Sequence, residues 1–337
     1  MIERILIVGL GSIGQRHLCL ARDRFLKADI RVLRHEPHSH IPEYSNGCFA
    51  RIEEAIAFSP QLAVIASPAP FHVTVAQALA SIGCHLLIEK PLADTWHAAL
   101  PLVKQAETCK QTLLLGYNLR YLPSLQRLRQ CYNDGIIGRA LSVRCEIGQY
   151  LPSWRPGRDY RKSVSAQREL GGGVLLELSH ELDYLCWLFD EAQWVRATLA
   201  RQSNLDIDVE DTAHLTLGFG EQSRPLIAAL TLDFMRHDTT RQCTIIGETG
   251  SLRWNAINGS VEHYPAGGSA WLQVFVQVPE RNHSYLAEWQ HLVACMEGLE
   301  QPLVTLNDGL HILRIIEAAH RSSNTAGVQI SIGDIQA

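Results

Sequence analysis

Residues 4–14 read Arg4-Ile5-Leu6-Ile7-Val8-Gly9-Leu10-Gly11-Ser12-Ile13-Gly14. Ile5 to Val8 is a continuous apolar run, as a strand buried on both faces requires. The glycines follow as G-x-G-x-x-G, and the stretch from Gln15 to Leu26 behind them is helical in pattern. Glycines alone would say little. Set between a buried strand and a helix, they form a dinucleotide-binding fingerprint. Gly9 permits the tight turn, Gly11 lets backbone approach a pyrophosphate, and Gly14 lets helix and strand pack closely. Ser12 and Ile13 complete the turn, whose exposed N–H groups and helix dipole favour an anion.

Working outward, the same alternation recurs. Ile30–Leu33, Leu62–Ala66, Leu86–Ile88 and Thr112–Leu115 read as further buried strands, and His72–Ile82 as a helix with Gly83 at its C′ position. Strand–helix alternation predicts a doubly wound parallel sheet over residues 1–120. Residues 121–337 read as a second, α+β domain for substrate binding and oligomerisation. Strand candidates at 140–150, Trp194–Gln202, Ala213–Phe219, Leu226–Phe234, Cys243–Gly247 and Leu272–Val278 follow with few helices between them, which predicts a large, mostly antiparallel open sheet. Val174–Phe189 is expected as one unbroken helix, having neither Gly nor Pro, and Tyr285–Met296 and Gly309–Ser322 as closing helices.

The chain has 337 residues, 46% hydrophobic, with 35 acidic and 30 basic side chains. That length fits about two domains. A net charge of −5 argues against a nucleic-acid groove or polybasic membrane anchor as the main role. The nine cysteines include no C-x-x-C, and the histidines no H-x-x-x-H, so neither a zinc site nor a disulfide framework is expected. His35, His38 and His40 read as a solvated loop. The apolar run at Ile5–Leu10 is too short for a signal peptide or membrane span. The expectation is a soluble, cytoplasmic protein without metal.

The residue after the second strand decides between cofactors. An acid there would hold the ribose 2′-hydroxyl of NAD, whereas a cation suits the 2′-phosphate of NADP. The chain has Arg34 with His35 beside it, and Glu36 one position on as the alternative ribose ligand. NADP is therefore expected over NAD.

Several further segments carry a family resemblance that covers nearly the whole chain. Ser67-Pro68-Ala69-Pro70-Phe71-His72, Glu89-Lys90-Pro91, Asn118-Leu119-Arg120-Tyr121, Gly171-Gly172-Gly173 with Glu177, His180 and Asp183 beyond it, Val209-Glu210-Asp211 and Gly247-Glu248-Thr249-Gly250 resemble the motifs of the glucose–fructose oxidoreductase / inositol dehydrogenase (Gfo/Idh/MocA) family. The resemblance implies an NAD(P)-dependent dehydrogenase acting on CH–OH groups of sugars. It adds Ser67, Pro68, His72, Glu89 and Lys90 to the cofactor-binding residues, and Arg120, Glu177, His180 and Asp183 to the substrate-binding ones. The family usually has Asp four residues before the histidine. Here Glu177 stands three before, and Leu176 occupies the earlier position.

Hydride transfer from an alcohol needs a base for the hydroxyl proton and a cation or donor for the developing oxyanion. Lys90 follows an apolar strand of the parallel sheet, where open α/β sheets gather ligands. It is expected to hydrogen-bond the reacting oxygen and relay the proton. His180 is the candidate base, with Glu177 one turn before and Asp183 one turn after on a single helix face, where a carboxylate would fix the imidazole's tautomer. A solvated lysine and a core histidine are the plain alternatives.

The segment Gln149–Arg168 holds Arg155, Arg158, Arg161, Lys162 and Arg168 against one acid, Asp159, with Trp154 and Tyr160 among them. Arginine forks suit phosphate or carboxylate, and the two rings could stack on a base or sugar. A nucleotide-activated or acidic sugar is thus the expected substrate, a solvated loop the alternative. Two rival functions stand beside the dehydrogenase: a non-catalytic NADP-binding sensor or scaffold, and a glycoside-cleaving enzyme cycling a tightly held NAD. Apolar residues on both faces of Leu226–Leu232 point to a homodimer or homotetramer through the open sheet.

Overall fold

The computed structural model describes residues 2–35, 41–221 and 223–336. Glu36, His38 and His40 lie outside the described residues. The chain divides into two compact units: Met1–Tyr117 with Leu286–Leu313, and Asn118–Tyr285 with Arg314–Ala337. A single cut at residue 120 does not anticipate the return of Leu286–Leu313 to the first unit.

In the first unit six parallel strands pair in the order β3-β2-β1-β4-β5-β6. They are β1 (Arg4–Val8), β2 (Asp29–Leu33), β3 (Gly47–Phe49), β4 (Leu62–Ile65), β5 (His85–Glu89) and β6 (Leu113–Gly116). The helices are α1 (Ser12–Arg24), α2 (Ile52–Phe58), α3 (His72–Ser81) and α4 (Trp96–Ala106). Ile5–Val8, Leu62–Ile65 and Leu86–Glu89 are buried throughout, as strands sandwiched between helix layers must be. Helix α4 forms despite Pro101 in its interior, with Thr95 Oγ1 accepting from the Ala98 N–H at 3.3 Å to cap its start. The strand order reverses between β1 and β4, and ligands of such sheets bind at the carboxyl ends beside that point.

The second unit opens with α5 (Pro123–Asn133) and β7 (Ala140–Gly148). The expected helix over Val174–Phe189 is broken into α6 (Val174–Glu177) and α7 (His180–Phe189). Leu178 leaves helical geometry, and the Ser179 hydroxyl donates to the Leu176 carbonyl at 2.9 Å. A short hydroxyl side chain competing for backbone acceptors is a local alternative to helix that Gly/Pro counting does not see. The strands β8 (Ala192–Ala200), β9 (Thr212–Phe219), β10 (Leu226–Asp233), β11 (Thr240–Gly247), β12 (Gly250–Asn255), β13 (Ser260–Pro265), β14 (Leu272–Val276) and β15 (Ile330–Ser331) join β7 in a nine-stranded sheet. Its pairings are antiparallel except β7 with β10. Helices α8 (His283–Met296) and α9 (Leu306–Asn324) stand between β14 and β15 in sequence, and their Leu286–Leu313 portion belongs to the first unit.

Strand β10 corrects one expectation. Leu226, Ala228, Leu230 and Leu232 are buried, but Ile227 and Thr231 are half-buried and Ala229 is exposed. Ala229 lies opposite Thr216 and Arg144, and Thr231 opposite His214 and Glu146. The second face is mixed and polar, the ordinary period-2 outcome for a sheet covered on one side. No helix among the described residues is long and apolar enough to cross a membrane.

Candidate active site

In the first unit the glycine turn does what its spacing requires. Gly9 has φ +83°, and a Cβ there would come within 2.8 Å of the Ala66 carbonyl oxygen. A Cβ on Gly14 would run into the Gly9 carbonyl, so this glycine allows helix and turn to touch. Around Gly11 the space is open, with nothing within 4 Å of where a Cβ would stand. Gly11 is also the N-cap of α1, no side chain caps the helix, and no acid lies in its first turn. Its first N–H groups are left for an anion.

Beside the turn, Arg34 is half-buried at the end of β2 and His35 is exposed. The Arg34 guanidinium makes no hydrogen bond or ion pair among the described residues. Just past the end of β4 the Ser67 hydroxyl is buried without a hydrogen-bond partner among the described residues, an orphan that a ligand group could satisfy. Open space at Gly11, an uncapped helix start, an arginine with no ion pair among the described residues and a hydroxyl with no hydrogen-bond partner among them together fit a dinucleotide. His72 is placed differently from the expectation of a cofactor contact. It is 1% exposed, with Nδ1 2.9 Å from the Pro91 carbonyl oxygen and Nε2 2.6 Å from that of Ser67. Both ring nitrogens are therefore occupied by protein. Burial pushes its pKa down, against the two carbonyl contacts.

Lys90 directly follows β5, half-buried, and its peptide bond to Pro91 is cis. Its backbone N–H donates to Glu89 Oε2 at 3.3 Å. Gly9, Ser67 and Lys90 thus follow the carboxyl ends of three neighbouring parallel strands, β1, β4 and β5.

In the second unit the structure rearranges the expected constellation. Because α6 and α7 are separate helices, Glu177 and His180 do not share one helical face. His180 is half-buried at the first position of α7. Glu177 accepts from the Ser165 hydroxyl at 2.7 Å. Arg120 and Asp183, both expected among the substrate ligands, bind each other out of solvent. Nη2 of Arg120 lies 2.7 Å from Asp183 Oδ1, and Nε lies 3.1 Å from Oδ2, with side chains 4% and 0% exposed. A forked guanidinium–carboxylate pair satisfies both charges, which is what makes burying them tolerable.

The segment from Gln149 to Arg168 is a series of short helical turns. Arg161 grips Asp159 through two bonds of 2.9 Å, and Arg168 Nη2 donates to the Asp208 carbonyl at 2.9 Å. Tyr160's hydroxyl accepts from the Asp206 N–H, and Trp154 donates to the Gln149 carbonyl while meeting Phe234 edge-on at 5.2 Å. Both rings are tied into the protein rather than held ready to stack. Arg155, half-buried, and Arg158, exposed, make no side-chain hydrogen bond or ion pair among the described residues.

Sequence reading gave no role to Ser165, or to Glu210, which caps α6 by accepting from the Leu175 N–H at 3.3 Å. A Cβ on Gly173 would strike that Glu210 carboxylate, so the third glycine of the triplet is the visible trace of the cap. Among the described residues no group of three or more His, Cys, Asp or Glu could hold a metal ion.

A six-stranded parallel sheet with a dinucleotide turn, followed by a unit built on a large open sheet, defines a class of nicotinamide-dependent oxidoreductase folds. Residues 3–117 match the oxidoreductase family's NAD-binding Rossmann fold, and residues 129–331 its C-terminal alpha/beta domain. The chain belongs to this Gfo/Idh/MocA oxidoreductase family, and its first unit is an NAD(P)-binding Rossmann domain. It is 31% identical over 182 residues to an uncharacterized oxidoreductase of Synechocystis, covering 50% of this chain and 48% of that protein. The chain spans about half the length of the curated relatives it matches first. In three dimensions it resembles levoglucosan dehydrogenase in complex with NADH and levoglucosan, with TM-score 0.83, 19% identity and 98% of each chain covered. It also resembles the WlbA dehydrogenase from Bordetella pertussis in complex with NADH and UDP-GlcNAcA, with TM-score 0.78, 21% identity, and 98% and 99% coverage. At these identities the likeness is one of fold.

Proposed function

We propose that the chain transfers a hydride between a nicotinamide cofactor and a hydroxyl-bearing carbon of a sugar. The observation that carries this reading is the row Gly9, Ser67 and Lys90 at the carboxyl ends of neighbouring strands. The bound cofactor supplies the hydride acceptor, or the donor in reverse. Lys90 hydrogen-bonds the reacting oxygen and stabilises negative charge as the C–H bond breaks. His180 takes the hydroxyl proton, and returns it in the reverse direction. Glu177, oriented by Ser165, is a hydroxyl ligand of the sugar. Arg34 selects NADP over NAD by offering a cation to a 2′-phosphate.

For the substrate, the reading favours an anionic sugar, either an acidic or a nucleotide-activated one. Its support has narrowed to Arg155 and Arg158, since Arg161 and Arg168 are engaged with aspartates and Trp154 and Tyr160 with the protein. Assembly of two or four chains through the outer face of the nine-stranded sheet belongs to the same reading, and light scattering reads it directly.

The test is a fluorescence titration with NADH and NADPH, followed by nicotinamide absorbance assays with levoglucosan, D-xylose, scyllo-inositol and UDP-GlcNAcA. Turnover of UDP-GlcNAcA that drops in Arg155→Ala and Arg158→Ala supports the anionic substrate. Turnover of a neutral sugar, unchanged in both variants, removes that part and leaves the dehydrogenase. Binding without turnover of any sugar sinks the enzymatic reading.

A further inference from the structure

Two buried histidines hold the residues on either side of Lys90. His17, on α1, is 0% exposed, and its Nε2 lies 2.7 Å from Glu89 Oε1. Its Nδ1 receives the indole N–H of Trp289, from α8, at 2.9 Å. An indole can only donate, so Nδ1 is the acceptor and Nε2 carries the ring proton. The direction of the chain is therefore fixed: Trp289 to His17, His17 to Glu89. The second Glu89 oxygen accepts the Lys90 backbone N–H. On the far side of the lysine, His72 is wedged between two carbonyl oxygens, with Nδ1 2.9 Å from that of Pro91 and Nε2 2.6 Å from that of Ser67, and the single N–H of its neutral ring donates to one of them.

Neither histidine is placed to touch a ligand, since one is fully buried and the other 1% exposed. What they do is mechanical. His17 starts from the helix that the glycine turn opens, and His72 from the helix behind the Ser67 loop. Each thus ties one cofactor-side loop to a neighbour of Lys90. Glu288, beside Trp289 in sequence, is also fully buried, with both carboxylate oxygens lacking a partner among the described residues. Burial first, then the charge of Glu89, pushes its pKa up.

We propose that His17 and His72 are positioning residues that clamp Glu89 and Pro91 and so aim the Lys90 side chain from the two loops expected to hold the dinucleotide. The proposal rests on Lys90 as the residue that meets the reacting oxygen. It assigns Glu89 to support of the lysine, where the motif alone suggested a cofactor ligand.

The experiment uses the full chain with ¹³Cε-labelled lysine. The chain has five lysines, Lys27, Lys90, Lys104, Lys110 and Lys162, so the Lys90 resonance is assigned by its loss in Lys90→Met. In His17→Leu the Lys90 resonance moves, the other four stay, and the NADPH Kd remains within about twofold, a small change on the affinity scale. His17→Gln restores the resonance, because its amide can donate to Glu89 in place of the ring. Trp289→Phe removes only the N–H that fixes the ring and moves the resonance without cutting the His17 donor. His72→Leu moves it and also weakens NADPH, because it releases Ser67. An unmoved Lys90 resonance in folded His17→Leu, or in Trp289→Phe should the first variant fail to fold, overturns the proposal. So does an equal disturbance of all five lysines in the leucine and glutamine variants, which is loss of packing. Should Lys90→Met keep full sugar turnover, the catalytic reading falls, while the resonance shifts still decide whether the clamp exists.

Discussion

Glu89 and Lys90 stand where they do because β5 ends there, and a strand's end is set by backbone pairing with its neighbours. Arg120 and Asp183 stand where they do because each found the other, 63 residues apart in sequence. The first unit distributes its reactive groups along the edge of a rigid parallel sheet. The second distributes its groups by side-chain pairs that lock separate segments together: Arg120 to Asp183, Glu177 to Ser165, Glu181 to Arg241 at 2.8 Å. A substitution in the first region should therefore change chemistry with little change in stability. A substitution in the second should change stability before it changes chemistry.

Lys90→Met gives the largest expected effect and tests the first half of that contrast. Turnover should fall by about 10²–10⁴, with the melting temperature within about 2 °C and cofactor affinity within a few-fold. A loss of stability comparable to the loss of turnover would break the contrast. Asp183→Asn tests the second half. It leaves the Arg120 guanidinium buried without its anion and should cost about 3–5 kcal/mol in chemical denaturation. A normal denaturation midpoint with lost activity would instead return Asp183 to the substrate.

Arg34→Asp sharpens the picture at the first region's edge. It should move the ratio of NADPH to NADH affinity toward NADH by about tenfold, roughly 1.4 kcal/mol, with the fold untouched. If the wild-type chain already binds NADH more tightly, Arg34 is not the selector. The smallest effect belongs to Glu288→Gln, and it is read as a pH slope. The folded-state pKa of Glu288 is raised, by burial first and Glu89 second. Its stabilising contribution is therefore full below the ordinary carboxyl range and is lost as pH rises through the raised value. Melting temperatures followed upward in pH from the ordinary carboxyl range should fall less steeply in the glutamine variant, and identical slopes would rule the titration out.

The same contrast explains what could be read in the sequence. The parallel strands and the glycine turn were legible because apolar runs and missing Cβ atoms are local signals. The short edge strand Gly47–Phe49 was not, having too few residues to show a period. Helix α4 was obscured by Pro101, and β12 and β13 by their polar outward residues. On the site side, the motifs supplied Lys90 and His180 as residues to inspect. The break at Leu178–Ser179 depends on one hydroxyl choosing a backbone acceptor, and the Arg120–Asp183 pair on a contact between distant segments. Neither leaves a periodic trace. His17 did leave one: it stands three residues after Gly14 and one before Leu18 on the buried face of α1, a polar group inside an apolar stripe. A stripe interrupted in that way asks which partner satisfies the intruder.

The return of Leu286–Leu313 to the first unit has a consequence for how the molecule comes into being. The indole that fixes His17 lies 272 residues further along the chain. At about 5–20 residues per second, a ribosome needs roughly 14–54 s to reach it after making the histidine. Once residue 117 is made, the nascent parallel sheet has its glycine turn and its lysine but not the helix that completes them. Its strands must wait while eight of the nine strands of the second sheet are made. An arrest-peptide force profile should accordingly register compaction of the first unit after residue 289 has left the ribosome, and not when residue 117 does.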